Sequence, residues 1–248
     1  MKTLFLSACI LAMLFGNAIA KPAQNTSSFL VADEDGVVLK EQNSSIIRPI
    51  ASISKLLLAV LVVNQDLSES LSIPTTRKVQ SSIPRNVKTL TRNELLTLSL
   101  IRSDNFATQI LCANLENCVD NMNSKALELG MINTHYQEPT GLDKGNVSTA
   151  QDLLKLLMIA STNSTITDIS SRPNAEIPTN KRTIKIHNTN PLTSKLNIIL
   201  SKTGFTNPAG GCLVMIMKSE VGNRIYVLLG SKNTRTRIPD MERLVKSI

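Results

Sequence analysis

The stretch Pro49-Ile50-Ala51-Ser52-Ile53-Ser54-Lys55-Leu56-Leu57-Leu58-Ala59-Val60-Leu61-Val62-Val63 opens on a small polar cluster and then loses almost every polar face. From about Ser52 to Asn64 this pattern predicts a helix buried on nearly all sides, which must lie inside a layered domain. Lys55 is the one charge on it. A charge on such a helix is costly unless partnered, so Lys55 is a candidate functional group. The i, i+3 spacing stacks it beside Ser52, within reach of the hydroxyl.

The layers are found by working outward. Upstream, Ser28-Phe-Leu-Val-Ala and Val37-Val-Leu-Lys flank Asp33-Glu-Asp-Gly36, the pattern of two strands joined by a tight turn. Downstream, from about residue 70 to 149, helix signals dominate. Thr91-Arg-Asn-Glu94 reads as a capping box opening a helix to about Ile101, and Ser148-Thr-Ala-Gln151 as another before the Leu-rich run to Ala160. Gly130 closes a helix carrying Met122, Ala126 and Leu129. Strands return at Thr183–Ile186, Asn197–Ser201, Cys212–Lys218 and Arg224–Gly230, and the tail from Pro239 has helical spacing. The expectation is an α+β domain over residues 21–248. An antiparallel sheet from both chain ends is flanked by helices, with a mostly helical lobe, about 70–149, beside it and a cleft between.

Composition narrows the functions open to such a fold. Aromatic residues make up 3% of the 248 residues and Trp is absent, which leaves little material for base stacking, so no nucleic-acid partner is expected. The net charge of +8 is spread along the chain and suits diffuse attraction to an anionic surface. Residues 1–20 read as a secretory signal: Lys2, the apolar run Leu4–Phe15, and Ala18-Ile19-Ala20 before the cut. The Leu6-Ser7-Ala8-Cys9 box of a lipoprotein leaves too short an apolar stretch before Cys9. No later run approaches the roughly 18 apolar residues of a membrane span. A periplasmic or secreted protein with at most peripheral membrane contact is expected. Cys112, Cys118 and Cys212 remain after cleavage; Cys112 with Cys118 is the local pairing, and buried free thiols are the alternative.

Only two histidines exist, His135 and His187, and neither sits in a ligand motif, so no metal and no cofactor is expected. No Gly-x-Ser-x-Gly elbow supplies a nucleophile for a Ser-His-Asp triad. What remains is Ser52-Ile-Ser-Lys55, Ser103-Asp-Asn105 between two helices, and Lys202-Thr203-Gly204 at the end of a strand pattern. Burial, together with the like charge of Lys202, would lower the Lys55 pKa and leave an amine able to activate Ser52 for attack on a carbonyl. Ser103 could relay protons, and the Asn105 amide could hold Lys55 and a substrate carbonyl. The strand of Lys202 and Thr203 would pair with an extended substrate and bind its carboxylate, with Gly204 permitting close approach. The backbone N–H groups of Ser52 and Phe205 are the expected oxyanion donors.

This three-motif set marks penicillin-binding proteins and class A β-lactamases. With Glu138-Pro-Thr-Gly-Leu142, Asn146-Val-Ser-Thr-Ala-Gln-Asp-Leu153 and Lys202-Thr-Gly-Phe-Thr-Asn-Pro-Ala-Gly-Gly-Cys-Leu-Val-Met215, the chain resembles the low-molecular-mass penicillin-binding proteins. Within them it is most similar to the D-alanyl-D-alanine endopeptidase and carboxypeptidase group. The resemblance implies a serine DD-peptidase/β-lactamase-like fold, catalytic roles for Ser52, Lys55, Ser103 and Asn105, and substrate binding by Lys202, Thr203, Gly204 and Phe205. It also implies peptidoglycan stem peptides as substrate and β-lactam antibiotics as covalent inhibitors. The Pro-Thr-Gly-Leu and Val-Ser-Thr-Ala segments carry over as a turn and a helix cap, outside the site. Gly211 stands where the group commonly has arginine, and Ser54 where it has threonine. The short type, without an added β domain and amphipathic anchor, is expected. A β-lactamase is the alternative enzyme, but its Glu-x-x-Leu-Asn pattern is missing; a weakly active wall-binding scaffold is the non-enzymatic alternative.

Overall fold

The computed structural model describes residues 27–180 and 182–248, so the expected signal segment lies outside the described residues. Strands β1 (Ser28–Asp33) and β2 (Val38–Gln42) form the hairpin, turning at Gly36 with φ +83°. A two-residue strand β3 (Arg48–Pro49) and a 3-10 turn over Ala51–Ile53 lead into α1 (Ser54–Val62). Next come β4 (Ser70–Ser72), β5 (Thr89–Thr91), α2 (Arg92–Ile101), α3 (Asn105–Ala113) and α4 (Cys118–Glu128). After β6 (Val147–Ser148) follow α5 (Ala150–Ser161), α6 (Ser164–Ser171), β7 (Asn174–Ile177) and β8 (Ile184–His187). The long strands β9 (Ile198–Thr206), β10 (Gly210–Ser219) and β11 (Gly222–Ser231) and the helix α7 (Thr234–Val245) complete the chain.

The antiparallel sheet runs β2-β1-β11-β10-β9, so the first and last strands of the chain are neighbours, Leu30 facing Val227. Alternation along the strands gives it two buried faces. Leu30, Ala32, Val214, Ile216, Val227 and Leu229 join α1, α2 and α5 in the main core. Val31, Leu213, Met215, Tyr226 and Leu228 pack with Met241 and Leu244 of α7 on the opposite face. Eight of the nine α1 residues are buried, Lys55 among them. Full burial of a leucine stabilises by about 1.5–3 kcal/mol, which is how Leu56, Leu57 and Leu58 hold a charged neighbour inside.

Four local expectations change. Thr91 and Glu94 form the capping box of α2, but the second box is replaced by a simpler cap, in which the Thr149 hydroxyl accepts from the Asp152 N–H at 3.1 Å. Lys202, Thr203 and Gly204 lie inside β9, facing Val214, Leu213 and Cys212, because the ladder continues through the glycine. The terminal helix begins five residues before Pro239, where Asn233 caps α7 by accepting from the N–H groups of Arg235 and Thr236. Helix α6, unforeseen in a Ser/Thr-rich segment, is capped by Asn163 and anchored by Ile166 and Ile169. Cys112 and Cys118 are bonded, tying the end of α3 to the start of α4, and Cys212 is a buried free thiol.

Candidate active site

Ser52 occupies the tight turn ahead of α1, next to Ala51, a buried non-glycine residue in the left-handed region at φ +49°. Such a residue costs about 1–2 kcal/mol and persists only where its surroundings hold it. Two glycines close on this turn. A Cβ on Gly141 would sit 1.9 Å from the Ala51 carbonyl oxygen and 2.8 Å from the Ser52 nitrogen; one on Gly204 would sit 2.8 Å from the Ile50 oxygen and 3.2 Å from the Ser52 nitrogen. Only glycine at both positions lets the 141 turn and strand β9 touch the serine backbone.

Lys55 Nζ reaches three oxygens: Ser52 Oγ at 2.8 Å, Asn105 Oδ1 at 2.8 Å and the Thr140 carbonyl at 2.6 Å. The residue is fully buried, and that burial lowers its pKa to about 7 against the opposing pull of Glu138 and Asp104. Here the expected cause needs correction, for the lowering of Lys55 comes from desolvation. Repulsion between the two lysines is felt at Lys202, whose pKa lies well below the usual lysine range through burial first and the Lys55 charge second.

Asn105 is placed by the head of α3. Asp104 caps it, its Oδ1 accepting from the Phe106 and Ala107 N–H groups at 3.0 Å while Oδ2 accepts from the Ser82 N–H at 2.5 Å and the Ser81 hydroxyl at 3.0 Å. Ser103, left-handed at φ +60°, accepts a hydrogen bond from Lys202 Nζ at 2.9 Å; the same amine donates to the Thr203 carbonyl at 2.9 Å. Thr203 Oγ1 lies 2.6 Å from Thr189 Oγ1. Ser52, Lys55 and Asn105 are thus joined directly, Ser103, Lys202 and Thr203 form a second linked group, and Gly204 places its strand against Ser52. Phe205 is 41% exposed at the open end of β9. Since β9 is an edge strand, it offers an unpaired ladder to an extended peptide.

Three contributors escaped the sequence. Thr140 and Gly141, expected in a turn and not as site residues, touch Lys55 and the Ser52 peptide. Arg237 of α7 donates to the Gly204 carbonyl at 2.9 Å from a buried position, its Nε without a partner among the described residues. That arginine also explains Gly211: an added Cβ would lie 2.6 Å from the Asn233 oxygen and 3.0 Å from Arg237 Cβ. The space for a side chain at 211 is occupied by the start of α7. His135 and His187 are exposed, and burial pushes the Cys212 thiol up to about 11, which disfavours a thiolate.

Residues 16–233 match the family described as D-alanyl-D-alanine carboxypeptidase, peptidase S11. Over 98% of its length the chain is 34% identical to the D-alanyl-D-alanine endopeptidase of Escherichia coli K12, covering 86% of that protein. It is 36% identical to the D-alanyl-D-alanine endopeptidase of Pseudomonas aeruginosa, again over 98% of the chain and 85% of the relative. Among solved structures, penicillin-binding protein D2 of Listeria monocytogenes in its ampicillin-bound form superposes with a TM-score of 0.80 at 29% identity, covering 88% of this chain and 95% of that one.

Proposed function

The chain belongs to the D-alanyl-D-alanine carboxypeptidase family and is a serine-type D-Ala-D-Ala peptidase, and from that premise we propose that its chemistry runs through an acyl-enzyme at Ser52. The observation that carries this reading is the contact of a fully buried Lys55 with the Ser52 hydroxyl, by an amine neutral in part of its population near pH 7. The neutral amine takes the Ser52 proton as the serine oxygen bonds to the D-alanine carbonyl carbon. The negative charge that develops on the carbonyl oxygen faces the N–H groups of Ser52 and Phe205. Collapse expels the amine of the next residue, which takes up the proton that Lys55 drew from Ser52, relayed through the Ser103 hydroxyl once substrate lies between the two hydrogen-bonded groups. Water then cleaves the ester by the same route in reverse.

Strand β9 pairs with the peptide of the peptidoglycan stem, Thr203 and Lys202 read its carboxylate, and Asn105 holds a carbonyl of the acyl part. Between the two reactions of the family, cross-link cleavage is favoured by the relatives at 34% and 36% identity, both endopeptidases. A β-lactam amide enters the same attack, but its leaving nitrogen stays tethered to the acyl group, so the adduct is long-lived. Substrate of this kind places the protein in the cell envelope, in accord with the leader read at residues 1–20. Among the described residues no helix is long and apolar enough to cross a membrane.

Benzylpenicillin is expected to add one covalent mass to the wild-type protein and none to Ser52→Ala. Labelling of Ser52→Ala, or no labelling of wild type, refutes the assignment of nucleophile. With cross-linked muropeptides, conversion of dimers to monomers marks the endopeptidase; loss of terminal D-alanine alone marks the carboxypeptidase. Rapid loss of the adduct with release of penicilloate would make the chain a β-lactamase instead.

A further inference from the structure

The turn over residues 138–143 has its own wiring, aimed at one atom. The Glu138 carboxylate accepts from the N–H groups of Thr140 at 2.8 Å, Gly141 at 2.5 Å and Leu142 at 2.8 Å, and from the Thr140 hydroxyl at 2.5 Å. Buried Asn146 clamps the turn to the nucleophile helix: its Nδ2 donates to Ser54 Oγ at 2.9 Å and to the Glu138 carbonyl at 2.7 Å, and its Oδ1 accepts from the N–H groups of Gln137 and Glu138. Ser54 Oγ in turn donates to the Ala51 carbonyl at 2.9 Å. What emerges from this lattice is the Thr140 carbonyl, 2.6 Å from Lys55 Nζ.

The chemical identity of the three oxygens around Nζ gives that contact its use. A neutral amine has two N–H bonds and one lone pair. The Thr140 carbonyl and Asn105 Oδ1 can only accept, so they take both N–H bonds. The lone pair is left facing Ser52 Oγ, the only one of the three that can donate a proton. Remove either acceptor and an N–H can swing toward the serine, leaving the lone pair misdirected.

We infer that Glu138 is a positioning residue of the site, gathering the turn that aims the Thr140 carbonyl at Lys55 and thereby turning the amine lone pair toward Ser52. The inference rests on Ser52 and Lys55 acting as nucleophile and base. Glu138 also contributes a negative charge that favours the protonated form of Lys55. The other charge acting on that amine comes from Asp104 at the head of α3, while Lys202 on β9 is itself lowered by the Lys55 charge.

The test is the second-order rate of acylation by benzylpenicillin between pH 5 and 9, for wild type, Glu138→Gln and Glu138→Asp, with thermal melting of each. Wild type should lose rate as pH falls through about 7. Glu138→Gln loses the charge and half the acceptor capacity: its plateau should fall by roughly ten- to a hundredfold and its acid limb move to lower pH. Glu138→Asp keeps the charge on a shorter arm, so its acid limb should stay near the wild-type position while the plateau falls. A folded Glu138→Gln that acylates at the wild-type plateau overturns the proposal, even if its acid limb or its melting point has moved. Should Glu138→Gln fail to fold, a folded Glu138→Asp with the wild-type plateau overturns it equally. Absence of acylation in wild type refutes the nucleophile assignment itself, a distinct result.

Discussion

Gly211 shows how a residue's meaning depends on what lies across from it. The resemblance to relatives leads one to expect arginine there, and restoring it looks harmless on paper. In the structure, the Asn233 carbonyl and the Arg237 side chain stand where its Cβ would go. Gly211→Arg should therefore destabilise the protein by about 1–3 kcal/mol, because α7 must shift to admit the side chain. Urea unfolding measures this; a variant as stable as wild type would mean that α7 yields freely. At the same scale lies the divide between what the sequence reveals and what it hides. Ser52, Lys55, Asn105 and Lys202 are legible because their chemistry is in their side chains at characteristic spacings. Thr140 acts through a backbone carbonyl, which every residue possesses, so no side-chain pattern betrays it. Arg237 is hidden for another reason, since only the packing of α7 on the sheet brings it to Gly204.

Among the elements, α3 couples stability to the site most directly. Its first residue is Asn105, its cap is Asp104, and its far end is bonded through Cys112 to Cys118 at the start of α4. Loss of an N-cap of this type costs about 1–2 kcal/mol. Asp104→Ala also frees Ser81 and Ser82 from the helix, so it should lower the melting temperature and slow acylation together as Asn105 loosens its hold on Lys55. Calorimetry beside penicillin labelling checks both; full labelling speed in a destabilised variant would show that Asn105 is held from elsewhere. The elements themselves were unequally readable. Apolar runs on either side of the turn at Glu220 to Asn223 made β10 and β11 plain, and the box at Thr91 and Glu94 marked the start of α2. Helix α6 is rich in β-branched and hydroxyl residues with weak helix propensity, so its helicity comes from the Asn163 cap and the burial of Ile166 and Ile169. The sequence pattern ends β9 at Ser201, whereas the strand runs on through Gly204, whose lack of a side chain serves the approach to Ser52.

For the molecule as a whole, two buried lysines impose a pH dependence on folding. The Lys55 pKa is about 7 in the folded protein and near 10.5 in the unfolded chain, and Lys202 is shifted the same way. Between these limits the unfolded chain binds more protons than the folded one, so stability rises with pH. The penalty is complete below about pH 7 and fades toward the unfolded value. Each such group can contribute up to about 1.4 kcal/mol per pH unit in that window. Urea unfolding at pH 7 and 9 should show a gain for wild type that shrinks in Lys55→Met. An identical gain in Lys55→Met would place the effect elsewhere.

The pairing of β1 with β11 has a consequence in time as well as in space. A ribosome releases Ser52 and Lys55 early, but Lys202 and Gly204 follow about 150 residues later, and Arg237 later still. Until β9, β10 and β11 have left the exit tunnel, the sheet has no centre and the serine has no strand beside it. The nascent polypeptide therefore carries its hydroxyl and its amine without a cleft to join them. A half-made copy lacks the Lys202 partner of Ser103 and the strand beside Ser52, so the site is whole only once the last strands dock.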